Sequence, residues 1–198
     1  GTLGTEMVAK APADGYTLLL GVTGALTIAP FVYAKLGYDT QRDFTPVAMV
    51  ALAPYIIVVH PSVPARNAKE LIALAKARPG ELRFASAGVG STPHLCTELF
   101  MNMAGIKMLH VPYKGGTPAM IDTLAGHTEV LCTSVTNAAP FIKQGKIRGI
   151  GVTPLKRSLV LPDLPTIDEQ GLKGYDVAQW MGIFAPAKTP PAVVQRLH

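Results

Sequence analysis

Charge is scarce in this chain: Asp, Glu, Lys and Arg make up 16% of its 198 residues. The cations come in ones and twos (Lys35, Arg42, Lys114, Arg148, Lys156 with Arg157) and form no basic stripe interleaved with aromatics, so a nucleic-acid partner is not expected. The formal net charge of +5 reads as a solvated surface with a mild cationic bias, and only as a weak pointer to an anionic ligand. Long hydrophobic runs are missing as well. The apolar run from Val47 to Val59 is too short to span a bilayer and is broken by Pro54. The first residues, Gly1-Thr2-Leu3-Gly4-Thr5, have neither a charged leader nor an apolar core, so no signal peptide is visible, which says nothing if a leader has been removed.

Cysteine is almost absent. Cys96 and Cys132 are the two, far apart and without CxxC or Cys/His ligand spacing. His60, His110, His127 and His198 form no metal-like cluster either, so neither a metal nor another cofactor is expected. Each cysteine falls in an apolar pattern, which favours two buried thiols over a disulfide without fixing their redox state. What remains is the composition of a soluble globular protein, long enough for a real core and for one domain or two small lobes.

The order of elements predicts an α/β fold. After the Asp14-Gly15 turn signal, Tyr16 to Val22 reads as a buried strand, and Ala53 to His60, rich in Ile and Val, as another. A helix starts at Asn67, where Asn67 and Glu70 fit an N-cap with its reciprocal partner and Leu71, Leu74 and Ala75 supply an apolar face; Pro79-Gly80 ends it. Strand and helix then alternate. Leu82 to Ser86, Met108 to Pro112, Val130 to Thr133 and Ile147 to Val152 read as strands. Pro93 to Met103, with Leu95, Leu99 and Met103 stacked, Pro118 to Leu124, with Met120, Ile121 and Leu124 on one side, and Ala138 to Gln144 read as helices. Such alternation implies right-handed crossovers and a mostly parallel sheet. Gly182 to Leu197 loosely echoes Pro54 to Leu71, suiting a pair of crossings between lobes. The expected division is a partial first lobe over 1–59, a second over 60–181 and a return crossing over 182–198.

The chemistry concentrates where strands end. Phe84-Ala85-Ser86-Ala87-Gly88-Val89-Gly90-Ser91-Thr92-Pro93-His94 runs from a strand through a glycine-rich turn into a helix, with Thr92 expected as N-cap and Pro93 as first helical residue. Such a turn points free backbone N–H groups and a positive helix end at one spot, which suits an anion; an ordinary tight turn would carry the same residues. No Lys-Ser/Thr follows the glycines, so the Walker pattern is absent. Val111 to Ala119 repeats the logic with Thr117-Pro118, and Thr133-Ser134-Val135-Thr136 and Val22-Thr23-Gly24-Ala25 follow strands in the same way. Ser91 or Cys96 with His94 could suggest a hydrolase, but the GxSxG elbow is absent and no carboxylate has a spacing that would orient His94. Trp180 reads as packing rather than as a ligand stacker.

On these segments the chain resembles the Bug-type substrate-binding receptors of tripartite tricarboxylate transporters. The likeness rests on Ala13 to Leu18, Tyr38-Asp39 with Asp43-Phe44-Thr45-Pro46-Val47, Phe84 to Leu95, Val111 to Gly116, Pro162 to Thr166 and Trp180 to Pro186. The resemblance implies a type II periplasmic-binding-protein fold, two α/β lobes with a ligand cleft between them, no catalysis, no cofactor and a periplasmic location. It implies a small carboxylate as ligand, membrane permease subunits as partners, and a receptor that is monomeric when full length. It points to Thr23, Gly24, Ser86, Ala87, Gly88, Ser91, Thr92 and Thr133 as ligand-binding residues, with Tyr113 and Lys114 as second choices. Family members carry a strand, a Pro-Gly-Gly-Gly loop and a helix ahead of the segment matching Gly1, so the sequence resembles a fragment with an incomplete outer lobe. Many also carry an acidic residue followed by Asn where Thr133-Ser134 stand here, a difference that favours a simple carboxylic acid over an amino acid. The rival reading with the same lobes is the effector-sensing domain of a transcriptional regulator, although no helix-turn-helix segment is present.

Overall fold

A computed structural model describes residues 1–198 and divides them into two compact units, Gly1–Ala53 with Gln179–His198, and Pro54–Ala178. In the smaller unit, α1 (Thr2–Ala9) precedes β1 (Leu19–Val22), a π-helical turn (Gly24–Ile28) and α2 (Ala29–Val32). The long strand β2 (Phe44–Val59) starts there and contributes its second half, from Pro54, to the larger unit. The larger unit continues with α3 (Ala68–Ala77), β3 (Arg83–Ser86), α4 (Thr92–Ala104), β4 (Leu109–Pro112), α5 (Gly116–Leu124), β5 (Val130–Ser134), α6 (Val135–Lys143) and β6 (Arg148–Val152). After it, β7 (Ala178–Pro186) and α7 (Pro191–Leu197) complete the smaller unit. No helix is long and apolar enough to cross a membrane.

Strand order in the larger unit is β6-β2-β5-β3-β4. β3 runs parallel to β4 and to β5, as the alternation with helices requires. β2 does not: it pairs antiparallel with both β5 and β6, so the expected mostly parallel sheet holds an inverted strand between two others. The Ile56–Val59 run is the second half of a strand that starts in the smaller unit, so the strand-helix alternation of the larger unit does not fix its direction. The run nevertheless has to be covered on both faces, and it is: Ile56, Ile57, Val58 and Val59 are almost completely buried. Ile57 and Val59 join a core of α3 and α4 residues with Phe84, Phe100 and Tyr175; Ile56 and Val58 join another with Ala119, Met120, Leu131 and Val135.

Helix α3 starts as its sequence dictates. The Asn67 side chain accepts from the Glu70 N–H at 2.9 Å, and the Glu70 carboxylate accepts from the Arg66 N–H at 2.7 Å. Helix α4 corrects an expectation. Its inward face is Cys96, Phe100 and Met101, whereas Leu99 and Met103 are 39% and 36% exposed, because the stripe that carries an aromatic ring lies one residue, about 100° of helix, further on. In α5 likewise, Met120 is buried but Ile121 is 58% exposed.

The cysteines also depart from the expectation of buried thiols. Cys96 of α4 and Cys132 of β5 form a disulfide with Cα atoms 6.5 Å apart. Both lie on the face where α4 packs against the sheet, so separation along the sequence conceals proximity in space. The Tyr175 hydroxyl seals this corner by donating to the Cys96 carbonyl at 2.8 Å, and burial pushes its pKa up.

In the smaller unit, β1 pairs antiparallel with β7, Leu19 opposite Phe184 and Val22 opposite Met181, and β7 lies beside β2. β1 starts three residues later than Tyr16, which is 93% exposed. β2 starts well before Ala53, at Phe44, since the Thr45 to Val50 segment extends the same ribbon. The core here is Leu19, Leu26, Tyr38 and Phe44, with Trp180 and Phe184 packed against it. The Trp180 and Phe184 ring centroids are 5.9 Å apart, consistent with the packing reading of Trp180.

Candidate functional site

In the larger unit the ends of β3, β4 and β5 present three loops on one sheet edge, since the strands share a direction. The turn after β3 is held from within. Ser86, fully buried, accepts the Gly88 N–H on its hydroxyl at 3.1 Å, and the Ser91 N–H reaches the Gly88 carbonyl at 3.2 Å. The Ser91 hydroxyl donates to that same carbonyl at 2.7 Å and accepts the His94 N–H at 3.4 Å. The Gly90 N–H donates to His94 Nδ1 at 3.2 Å. The turn therefore needs its glycines: Gly88 and Gly90 sit at φ +121° and +75°, and a Cβ on Gly88 would stand 3.2 Å from the Tyr113 carbonyl oxygen.

Two corrections follow. The N-cap of α4 is Ser91, not Thr92; Thr92 is the first helical residue and Pro93 the second. The expected sheaf of free N–H groups is also mostly spent inside the turn, on Ser86, Gly88 and His94. The Thr92 N–H stands at the first position of the helix, where the α-helical pattern offers it no acceptor. The cap is displaced because the Ser91 hydroxyl, closer to the turn, can bridge it to the helix, which a Thr92 cap would leave undone.

The β4 loop meets this turn directly, with the Tyr113 N–H donating to the Ser86 carbonyl at 3.0 Å. The Tyr113 hydroxyl donates to Asp122 at 2.7 Å, and burial together with that carboxylate pushes the phenol pKa up to about 12. Lys114 next to it is exposed. The N-cap of α5 lies two residues before the expected Thr117, at Gly115 with φ +131° and no side-chain cap, because the paired glycines allow the backbone to enter the helix directly. On β5, Thr133 is buried at the strand end, and Ser134 caps α6 by accepting the Asn137 N–H at 3.3 Å; this cap sets the helix start at Val135, earlier than Ala138. Ser86, Ala87, Gly88, Ser91, Thr92 and Tyr113 are thus brought together, and Thr133 lies on the neighbouring strand. Thr23 and Gly24 belong to the smaller unit, where the Thr23 hydroxyl accepts from the Trp180 N–H at 3.0 Å and a Cβ on Gly24 would meet nothing within 4 Å.

Sequence reasoning missed the role of two histidines. His94 and His110 stack with centroids 4.1 Å apart, and Phe84 stacks on His110 at 4.7 Å. His110 Nε2 is 2.6 Å from the Ser86 hydroxyl. Glu98, one turn along the same helix, stands 3.5 Å from His94 Nε2, so a carboxylate does lie near that ring, contrary to the expectation that none is so spaced. The i, i+4 spacing of His94 and Glu98 was the available signal. As for nucleophiles, Ser91 directs its proton to a carbonyl rather than to His94, and Cys96 has no free thiol.

The chain matches the tripartite tricarboxylate transporter family receptor over residues 1–198. Among curated relatives, a protein encoded in the tcbD-tcbE intergenic region of Pseudomonas sp. strain P51 is 42% identical over the whole chain, and Protein BugT of Bordetella pertussis is 35% identical. The chain spans 59% and 61% of their lengths. Among solved structures, R. palustris Rpa4515 with adipate is 40% identical with a TM-score of 0.93, covering 100% of this chain and 66% of that one. MatC from Rhodopseudomonas palustris with bound malate is 32% identical with a TM-score of 0.89, covering 99% of this chain and 67% of that one. The periplasmic binding protein BugD is 40% identical with a TM-score of 0.88, covering 99% and 65%. The shared fold is that of the type II periplasmic binding proteins, and this chain belongs to the tripartite tricarboxylate transporter receptor family.

Proposed function

We propose that the chain is the ligand-binding part of a periplasmic receptor that captures a small carboxylate and delivers it to the permease subunits of a tripartite tricarboxylate-type transporter, without catalysis. The observation that carries this reading is the glycine turn from Ser86 to Thr92 at the start of α4. Within it the Thr92 N–H stands at the positive end of a 13-residue helix, where a carboxylate gains about 0.3–1 kcal/mol from the helix dipole. A charge-assisted bond to that N–H adds about 1.5–3 kcal/mol, more than scattered, salt-screened surface lysines supply. Ser86, Ala87, Gly88, Ser91, Thr92 and Thr133 form the proposed anchor, and Tyr113 and Lys114 its rim. Relatives of the same family solved with adipate and with malate support a dicarboxylate of four to six carbons as the first candidate. The buried disulfide supports an oxidising compartment such as the periplasm.

Calorimetry with mono-, di- and tricarboxylates tests this. A dicarboxylate is expected to bind, and Gly88→Val, which puts a branched side chain at φ +121° against the Tyr113 carbonyl, to weaken it by more than about 30-fold while Lys156→Ala changes it less than about twofold. Failure of every carboxylate to bind, or full affinity in a folded Gly88→Val protein, would refute the reading.

A further inference from the structure

The two histidines beside the turn do something an ordinary packed residue does not: each receives a proton donor of the turn on an unprotonated ring nitrogen or through a relay. The Gly90 N–H points at His94 Nδ1, so that nitrogen carries no proton and the neutral ring keeps its proton on Nε2, facing Glu98. The Gly88 N–H points at the Ser86 hydroxyl, whose oxygen is 2.6 Å from His110 Nε2. Both glycines have positive φ, so the turn has little intrinsic preference for this shape and these bonds select it. We infer that His94 and His110 are positioning residues that lock the Ser86–Ser91 turn only while both rings are neutral, making the shape of the turn, and carboxylate capture with it, dependent on protons. The second half of that statement rests on the turn being the carboxylate anchor; the first half does not.

The physical reason is a conflict of donors. A proton on His94 Nδ1 would face the Gly90 N–H, two donors across 3.2 Å, and one bond of the turn would become a repulsion. A second charge on His110 would face the first across 4.1 Å of stacked rings. The groups that bear on the pair are few. Glu98 on α4 stands by His94 Nε2, β3 supplies the Ser86 hydroxyl and the uncharged Phe84 ring, and the two rings bear on each other. Burial lowers the pKa of His94 against the opposing pull of Glu98, and burial with the neighbouring His94 lowers that of His110 to about 4. Both rings are accordingly neutral at pH 7, and the lock opens in acid, His110 taking up its proton only at about 4.

The test needs no ligand at first. Amide exchange and ¹⁵N shifts of Gly88 and Gly90 are followed from pH 7.5 to 4 in the 198-residue chain, in His94→Asn, whose side-chain oxygen can replace Nδ1 but cannot titrate, and in His94→Phe, which keeps the stack and removes the acceptor. In the unsubstituted chain, Gly90 is expected to be protected at pH 7.5, after correction for intrinsic exchange, and to lose at least tenfold of that protection in acid. His94→Asn should keep the protection with no acid step, and His94→Phe should lack it throughout. An acid step that persists in His94→Asn, or wild-type protection in His94→Phe, overturns the inference. Should His94→Phe fail to fold, the comparison with His94→Asn alone decides. Adipate titrations at the same pH values follow: affinity should fall about tenfold more towards acid in the unsubstituted chain than in His94→Asn, a difference that cancels protonation of adipate itself. No adipate binding at all, with the Gly90 pattern as expected, would leave the lock standing and count against the turn as anchor.

Discussion

The two units differ sharply in how much apolar surface each hides. The larger buries Leu71, Phe84, Phe100 and Tyr175 with β2, β3 and β5 in two clusters, one on either side of its sheet. The smaller rests on Leu19, Leu26, Tyr38 and Phe44, and leaves Tyr16 93% and Phe31 89% exposed. Burial of a large side chain is worth about 1.5–3 kcal/mol, so the two units cannot have the same local stability. The proposed anchor is placed to match. The glycine turn, with its positive φ values and competing donors, sits on the unit that has stability to spare.

This difference can be attacked directly. Trp180, the single tryptophan, packs against the core of the smaller unit and serves as its reporter. The largest effect is expected from the disulfide, which closes a loop with a sequence separation of 36 inside the larger unit. Its removal by paired Cys96→Ala and Cys132→Ala should cost that unit about 3–4 kcal/mol on the chain-entropy estimate. In urea, the circular dichroism transition should move to lower denaturant while the Trp180 fluorescence transition stays in place. A common shift of both would show that the units unfold together.

Acid should act more weakly on the same unit. For His110 the folded pKa, about 4, lies below the unfolded value of 6.5, so the unfolded state binds the extra proton. Stability is therefore present above pH 6.5 and declines as pH falls towards 4. Solvent screening reduces the loss to on the order of 1 kcal/mol. Thermal melts at pH 7 and 4.5 should show it, and His110→Gln should reduce it. Smallest is the cap of α3: Asn67→Ala should destabilise the larger unit by about 1 kcal/mol, read from its urea midpoint, with Trp180 fluorescence unchanged.

The parts of the fold legible in the sequence are those fixed by neighbours along the chain. The α3 cap needs only Asn67 and Glu70, and the parallel strands β3, β4 and β5 follow from the intervening helices. The inverted β2, the Cys96–Cys132 disulfide and the true inward face of α4 depend on residues far apart in sequence, and local periodicity carried no trace of them. At the candidate site, the glycine turn was visible from composition. The destination of its N–H groups was not, because His110 comes from a different strand and Ser91 displaced Thr92 as cap by one residue.

The inverted strand β2 has a consequence for biosynthesis. Its Ile56–Val59 run finds partners in β5 and β6, Val59 opposite Val130 and Arg148. At synthesis rates of 5–20 residues per second, Val130 follows Val59 by about 70 residues, roughly 4–14 s. For that interval a β-branched, uncharged segment emerges with no strand on either side, a composition that invites pairing with other nascent chains. A chain of this design gains from being kept extended by a holding chaperone until β5 and β6 exist, and its yield on expression should depend on that chaperone more than on the stability of the finished protein.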